Sequence, residues 1–297
     1  MGHLKGRVVV VTGAGRGIGA AVAKVFAAEG AKVLVNDLGV ALDGTGADTA
    51  LSQQVANEIN DAGGEAIASI DDVSDYDRAE QIIRTAIDKF GKLDVLVNVA
   101  GILRDKMIFN MTEEDWDSVI RVHLKGTFNT TKHASVYWRE LRDDTAHHRI
   151  INFVSGSGLH GAAGQPNYAA AKMGIVGLTY SCANALGRYG VTANAISPGA
   201  ATRMGGSVPE DRRIERSARE MAIRAPENVV PAVAFLASER SDWCTGQVLQ
   251  ASGHRISLYS HFEVVRQVNT TGPWQLDEAF ELIEESFKSA ARSPAQR

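Results

Sequence analysis

The chain has 297 residues, 44% of them hydrophobic and 22% charged, with a formal net charge of −4. These proportions are those of an ordinary globular protein, and the mild acidity removes any electrostatic case for nucleic-acid binding. Two cysteines, Cys182 and Cys244, make neither a metal-ligand spacing nor a disulfide framework, and neither a signal sequence nor an apolar run of about 18 residues is present, so a cytoplasmic protein with no metal and no membrane span is expected.

Val8-Val9-Val10-Val11 is a β-branched run too apolar for a strand with one wet face. Gly13-Ala14-Gly15-Arg16-Gly17-Ile18-Gly19 follows at once, and Ala20 to Ala28 has helical composition. Glycines there permit a tight turn and let the backbone approach a pyrophosphate at the helix N-terminus. The next strand, Lys32 to Asn36, ends in Asp37, where a carboxylate can bind adenosine ribose hydroxyls. Leu38 to Asp48 is a glycine-bearing loop longer than an ordinary βα turn, after which Thr49 to Ala62 reads as helix, Glu65 to Ile70 as strand and Tyr76 to Phe90 as helix. Leu93 to Asn98 is the next strand, and one long helix is expected between Glu113 and Leu141.

Ile150 to Val154 is an apolar run that stops at Ser155, with a small-residue loop beginning at Gly156-Ser157-Gly158. Pro166, a residue suited to a first helical turn, opens a helix that reaches Tyr189. It carries Tyr168 and Lys172, which share a face at a spacing of four. Val191 to Ser197 is a further strand. The alternation requires an α/β fold with a parallel sheet. One domain over 4–256 is expected, followed by an extension over 257–297 in which Leu276, Phe280, Leu282, Ile283 and Phe287 space out an amphipathic helix near the substrate mouth or a subunit interface. Met204 to Arg224 is polar, and the arginines there and just before it, among them Arg203, Arg212 and Arg216, suit either an anionic substrate or, with their interspersed acids, a solvated helix.

The strand end and helix start bring Ser155, Tyr168 and Lys172 within reach of one another. A free tyrosine has a pKa of about 10; a lysine ammonium close by favours the phenolate and makes the pair a usable acid and base. A serine hydroxyl can hold a substrate oxygen against the tyrosine. The trio suits proton transfer at a carbonyl or alcohol carbon.

The spacing Thr-Gly-x-x-x-Gly-x-Gly from Thr12 to Gly19, with Ser155, Tyr168 and Lys172, resembles the short-chain dehydrogenase/reductase family over roughly Leu4 to Gly253. The resemblance implies a Rossmann-type doubly wound sheet. It implies that NAD is held by Gly13, Arg16, Gly17, Ile18, Gly19 and Asp37, with Asp72-Val73 at the adenine and Asn98, Ala100 and Gly101 after the fourth strand. Pro198, Gly199 and Thr202 match the nicotinamide side, where the resemblance also puts Tyr168 and Lys172 at the cofactor, Lys172 as the anchor of its ribose. Asp37, with no cation in Leu38 after it, favours NAD over NADP, whereas Arg16 argues the other way. Long central helices imply a homo-oligomer, dimer or tetramer.

Two positions depart from the pattern. His123 stands where the family commonly has a catalytic asparagine that organises a water; it can do so through its carbonyl, relay protons itself, or simply pack. Val99 replaces a second asparagine. Together with Asn36-Asp37-Leu38-Gly39, Ile102-Leu103-Arg104-Asp105 and Gly164-Gln165-Pro166-Asn167-Tyr168, these features resemble the (3R)-hydroxyacyl-CoA dehydrogenase (17β-hydroxysteroid dehydrogenase) part of peroxisomal multifunctional β-oxidation enzymes and its stand-alone bacterial relatives. That implies a small-molecule substrate, an acyl-CoA or steroid-like alcohol or ketone. An NADPH-dependent 3-oxoacyl reductase and a catalytically silent NAD-binding sensor are the competing readings.

Overall fold

Five consecutive buried residues, Val8–Thr12, form strand β1, and the remaining elements are arranged around it in a computed structural model that describes residues 2–46, 48–200 and 217–291. The flanking helix α1 is Gly17–Ala28, followed by β2 Lys32–Asn36, α2 Ala50–Asp61, β3 Glu65–Ser69, α3 Tyr76–Phe90 and β4 Val95–Asn98. Next come α4 Glu113–Ile120, α5 Gly126–Leu141, β5 His148–Phe153, α6 Gly156–His160, α7 Pro166–Leu186 and β6 Val191–Pro198. Then follow α8 Ala218–Ile223, α9 Val230–Ala237, β7 Val248–Ser252, β8 Arg255–Leu258 and α10 Leu276–Phe287. The eight strands form one sheet in the order β3-β2-β1-β4-β5-β6-β7-β8. All pairings are parallel except β7 with β8.

Alternate residues of a strand point to opposite faces. Val9 and Val11 accordingly pack with Phe26 of α1, Ile59 of α2 and Leu236 of α9, while Val10 packs on the other side with Ile82 of α3 and Trp138 of α5. Both faces are covered, which is why these strands read as continuous apolar runs. A buried polar chain ties the strand ends to the helices. Asn98 accepts from Thr130 Oγ1 at 2.8 Å and donates to Asn152 Oδ1 at 2.9 Å, and Asn152 donates to Thr179 Oγ1 of α7 at 2.9 Å.

Three local expectations are modified. The single helix expected over 113–141 is interrupted by a π-helical turn, Arg121–Lys125, between α4 and α5; a π-turn adds a residue without disturbing the apolar spacing enough to be read. The loop expected after Ser155 winds into the short α6, with Ser155 as its N-cap accepting from the Ser157 N–H at 3.2 Å. The strand β8 is new: Arg255-Ile256-Ser257-Leu258 alternates polar and apolar, but over four residues only, and it forms an edge strand with Ile256 and Leu258 exposed.

The chain divides into two units, Met1–Tyr259 and Ser260–Arg297. Strand β8 lies in the first and runs across the 256/257 boundary expected from the sequence. The second contains α10, with Leu276, Phe280 and Ile283 exposed on it. No helix among the described residues is long and apolar enough to cross a membrane.

Candidate active site

The C-terminal ends of β2, β1 and β4 lie level, Thr12 pairing with Asn36 on one flank and Asn98 on the other. Strand order reverses at β1, and a crevice opens there, as the topology requires. The cleft has a volume of about 320 Å³ and is lined by Gly13, Arg16, Gly17, Ile18, Gly19 and Asp37, and further along by Asp72, Val73, Ala100 and Gly101. Gly13 and Gly17 have φ of +65° and +57°, the left-handed region. A Cβ on Gly19 would collide with the Gly13 carbonyl oxygen. This close approach of turn and helix start makes the cradle a dinucleotide diphosphate needs.

Asp37 does two things at once. Its Oδ2 accepts the Gly15 N–H at 2.8 Å and its Oδ1 the Gly39 N–H at 2.7 Å, so it braces the glycine turn from the far side. A carboxylate offers about four acceptor positions, which leaves capacity for ribose hydroxyls. Arg16 lines the same cleft, and its Nε is buried with no hydrogen-bond partner among the described residues.

Asn98 does not line the cleft; its side chain is committed to Thr130, Thr131 and Asn152. Thr12, at the head of the glycine motif, has a role that the motif spacing does not show: its hydroxyl accepts the Val99 N–H at 3.1 Å and the Ala100 N–H at 3.3 Å, holding the loop after β4. The backbone thereby secures the position where Val99 offers no polar side chain. A threonine at the strand end, just before the turn, was the available signal.

Ser155, Tyr168 and Lys172 come together at the end of β5 and the start of α7. Ser155 is hydrogen-bonded to Tyr168. The Lys172 Nζ stands 5.6 Å from the centre of the Tyr168 ring and donates to the Phe153 carbonyl at 2.6 Å. Asn167, fully buried and unmentioned in the chemistry read from sequence, donates to the carbonyls of Arg104 and Asp115 at 3.1 and 2.9 Å and fixes the first turn of α7.

Burial dominates the electrostatics. It pushes Lys172 down to about 7, and it pushes Tyr168 up to about 12, with the Ser155 hydrogen bond acting against that rise and the Asp105 carboxylate adding to it. Low polarity thus drives both groups toward their neutral forms.

His123, on the π-turn, is buried, and its ring meets that of Tyr168 edge-on at 5.1 Å. Its Nε2 lies 2.8 Å from the Ile102 carbonyl and 3.1 Å from the Ile102 N–H, and Nδ1 is buried without a partner among the described residues. Burial and then the nearby Lys172 hold it well below its ordinary pKa. Pro198 pairs with Ala251 at the end of β6, and the Gly199 N–H donates to the Ala251 carbonyl at 2.8 Å; neither lines the cleft. Thr202, Arg203, Arg212 and Arg216 fall outside the described residues.

A glycine-floored cleft at the switch point of a parallel sheet, beside a serine, a tyrosine and a lysine, defines a nucleotide-dependent oxidoreductase acting on CH–OH groups. Residues 7–213 match the short chain dehydrogenase family model; the chain belongs to the short-chain dehydrogenase/reductase family, which uses NAD(P). It is 41% identical to the hydroxyacyl-CoA dehydrogenase ChsB1 of Mycobacterium tuberculosis, over 99% of this chain and 92% of the relative. It is 43% identical to the peroxisomal hydratase-dehydrogenase-epimerase of Neurospora crassa over 85% of this chain but only 27% of that longer protein. A crystal structure of a short chain dehydrogenase from Mycobacterium avium, 46% identical, superposes with a TM-score of 0.86 and 98% coverage of both chains.

Proposed function

We propose that the protein is an NAD-dependent dehydrogenase of secondary alcohols whose substrate is a 3-hydroxyacyl-CoA with a long or steroid-derived chain. The Ser155–Tyr168–Lys172 cluster carries the reaction type, and the nearly full-length similarity to a hydroxyacyl-CoA dehydrogenase supports the substrate class. Tyr168 takes the alcohol proton in oxidation and returns it in reduction. Ser155 donates to the substrate oxygen and holds it against the tyrosine. Lys172 shares the low-polarity site with Tyr168, so a phenolate beside an ammonium is favoured over either charge alone. His123 is neutral at working pH and positions the tyrosine rather than exchanging protons with it.

Gly13, Gly17, Gly19 and Arg16 would hold the NAD diphosphate, Asp37 its adenosine ribose, Asp72 and Val73 its adenine, and Pro198, Gly199 and Thr202 its nicotinamide side, with Ala100 and Gly101 walling the cleft between. Asn98 acts behind these by fixing the end of β4. When bound, NAD supplies the hydride acceptor. Arg16, which lines the cleft and whose Nε has no hydrogen-bond partner among the described residues, favours a second reading, an NADPH-dependent 3-oxoacyl reductase. We also infer a homo-oligomer, from exposed Trp116 and Phe128 on the central helices, and a cytoplasmic location, which the two free cysteines fit.

The test follows absorbance at the nicotinamide band with NAD and with NADP against straight-chain and steroid-derived 3-hydroxyacyl-CoAs. Turnover of a thioester with NAD supports the reading. Turnover confined to simple alcohols, or to NADP, rejects the substrate or the cofactor, and absence of turnover on every pair returns the sensor reading.

A further inference from the structure

The loop after β2 has no part in the chemistry above, although Val40, Leu42 and Gly44 on it line the nucleotide cleft. It is knit to itself. The Asp48 N–H donates to the Gly39 carbonyl at 2.9 Å, closing the neck of the loop, and the Ala41 N–H to the Thr45 carbonyl at 2.7 Å, closing its tip. Asp43 Oδ1 accepts the Thr45 N–H at 3.0 Å and the Thr45 hydroxyl at 2.7 Å. A loop whose ends are close and whose turns bond internally is a compact body of its own. Gly39 and Gly46 stand on either side of the tip with φ of +75° and +67°, where the chain turns in the region that favours glycine.

This body crosses the cleft. Its root is at the end of β2, where Asp37 Oδ1 accepts the Gly39 N–H at 2.7 Å. Its tip is fastened to the loop after β4: the Leu103 N–H donates to the Leu42 carbonyl at 2.8 Å, and Arg104 Nε to the Asp43 carbonyl at 3.0 Å. Strands β2 and β4 flank β1, so the loop spans the crevice at the switch point on the side of Asp37. The fastening of the tip is light. Ala41, Asp43, Thr45 and Gly46 are exposed, and the two cross-cleft hydrogen bonds, at their usual worth, favour the closed form over an open one by roughly 10–100-fold. Segments with exposed backbone bonds and few buried contacts are those that open locally. An adenosine held between root and tip is enclosed, and parting of the tip is its shortest way out.

We propose that residues 39–46 form a clasp over the adenosine half of the nucleotide and that Arg104 is its latch, a positioning residue that sets how fast the nucleotide enters and leaves. This rests on the cleft being the nucleotide site, and on no reaction at Tyr168. Arg104 suits the role because it is held from behind. Its guanidinium lies 3.6 Å from Glu114 and 4.0 Å from Asp115 at the start of α4, and its carbonyl accepts from Asn167 Nδ2 of α7 at 3.1 Å. The latch is thereby fixed to two helices, and the tip is the part that yields.

The experiment follows NADH binding by stopped-flow fluorescence, with release read by displacement with excess ADP-ribose, and hydrogen exchange over 39–46 by mass spectrometry. Loosening a gate speeds entry and exit together, whereas loss of a mere contact speeds exit alone. Arg104→Met should raise both rate constants about tenfold, the worth of one charge-assisted hydrogen bond, and Arg104→Lys should recover much of the wild-type behaviour. Glu114→Gln, which breaks the ion pair behind the latch and keeps Arg104, should leave both rates unchanged. Gly44→Val wedges the tip without touching Arg104, since a Cβ on Gly44 already stands 3.0 Å from Ile102 Cδ1; it should act as Arg104→Met does, and it decides the matter if that variant does not fold. Exchange over 39–46 should speed up in both loosened variants and slow when ADP-ribose binds wild type. Rates unmoved in both, or exit alone accelerated, overturn the proposal. Absence of nucleotide binding to wild type overturns the clasp and the cofactor reading together. Binding without turnover of any alcohol fails the reaction alone, and these rates still decide the clasp.

Discussion

Asp37 sets cofactor choice if its charge, and not only its shape, faces the adenosine ribose. The structure complicates the obvious test, since both carboxylate oxygens already hold backbone amides, Gly15 at 2.8 Å and Gly39 at 2.7 Å. Asp37→Ala would therefore loosen the glycine turn and weaken binding of either nucleotide. Asp37→Asn is the sharper perturbation. It keeps one acceptor and loses one charge-assisted hydrogen bond, a cost of about 1.5–3 kcal/mol that falls on NAD and NADP alike. The charge effect falls on NADP alone. A 2′-phosphate about 4 Å from a carboxylate meets a repulsion of roughly 1–4 kcal/mol per charge pair, according to local polarity. Arg16, which lines the same cleft, offsets part of this. With about 1.4 kcal/mol per tenfold, wild type should prefer NAD at least about tenfold in kcat/KM, and Asp37→Asn should raise the NADP-to-NAD ratio by at least about tenfold even as both efficiencies fall. Adding Arg16→Met to Asp37→Asn should pull the ratio back. A wild-type preference for NADP, or a ratio indifferent to Asp37→Asn, would refute the reasoning.

Tyr168→Phe should keep nucleotide binding, measured by fluorescence titration with NADH, and lose on the order of 10²–10⁴ in kcat; near-normal turnover would remove Tyr168 from the chemistry. Gly101→Ala should lower stability by about 1–3 kcal/mol in urea unfolding, because a Cβ there would collide with the His123 ring; an unchanged midpoint would mean the ring moves freely. Lys172 has a folded pKa lowered by burial from 10.5 to about 7, so the unfolded chain binds more protons between those values and stability from this group rises with pH across that window. Lys172→Met should accordingly be more stable than wild type near pH 6, with the gap closing toward pH 10, and a gap that is constant or widens would contradict the assignment. Light scattering at micromolar concentration should report a dimer or larger, and a monomer would defeat the oligomer inference.

The sheet was legible because its strands are buried on both faces, so that Val8 to Val11 and Ile150 to Phe153 stand out as apolar runs without needing a pattern. The chemistry was legible where it depends on local spacing: the glycine turn, and Tyr168 with Lys172 on one helical face. What could not be read depends on side chains meeting across the fold. Nothing in the spacing says that Asn98 turns inward to Asn152, 54 positions away, instead of outward to the cleft. Nothing says that Asp37 braces Gly15, or that Tyr168 is buried deeply enough to be pushed above its ordinary pKa. The edge strand β8 escaped because its alternation, Arg255 to Leu258, spans only four residues and its apolar side chains lie exposed instead of in a core.

The π-turn shows how such a long-range arrangement answers a single substitution. An imidazole needs more room than the asparagine common at position 123, and two features supply it. Gly101 presents no Cβ where the His123 ring lies, and the turn Arg121–Lys125 widens the helix at that residue. The ring is then held through Nε2 at Ile102 and stands against Tyr168. A π-turn leaves backbone groups offset from the regular ladder, costs stability, and persists mostly at functional sites. Were His123 merely filling space, a regular α-helical turn with a smaller apolar residue would serve at lower cost. The combination of a histidine, a glycine opposite it and a π-turn beneath it therefore makes sense as one device, which sets the edge of the tyrosine ring while contributing no charge of its own.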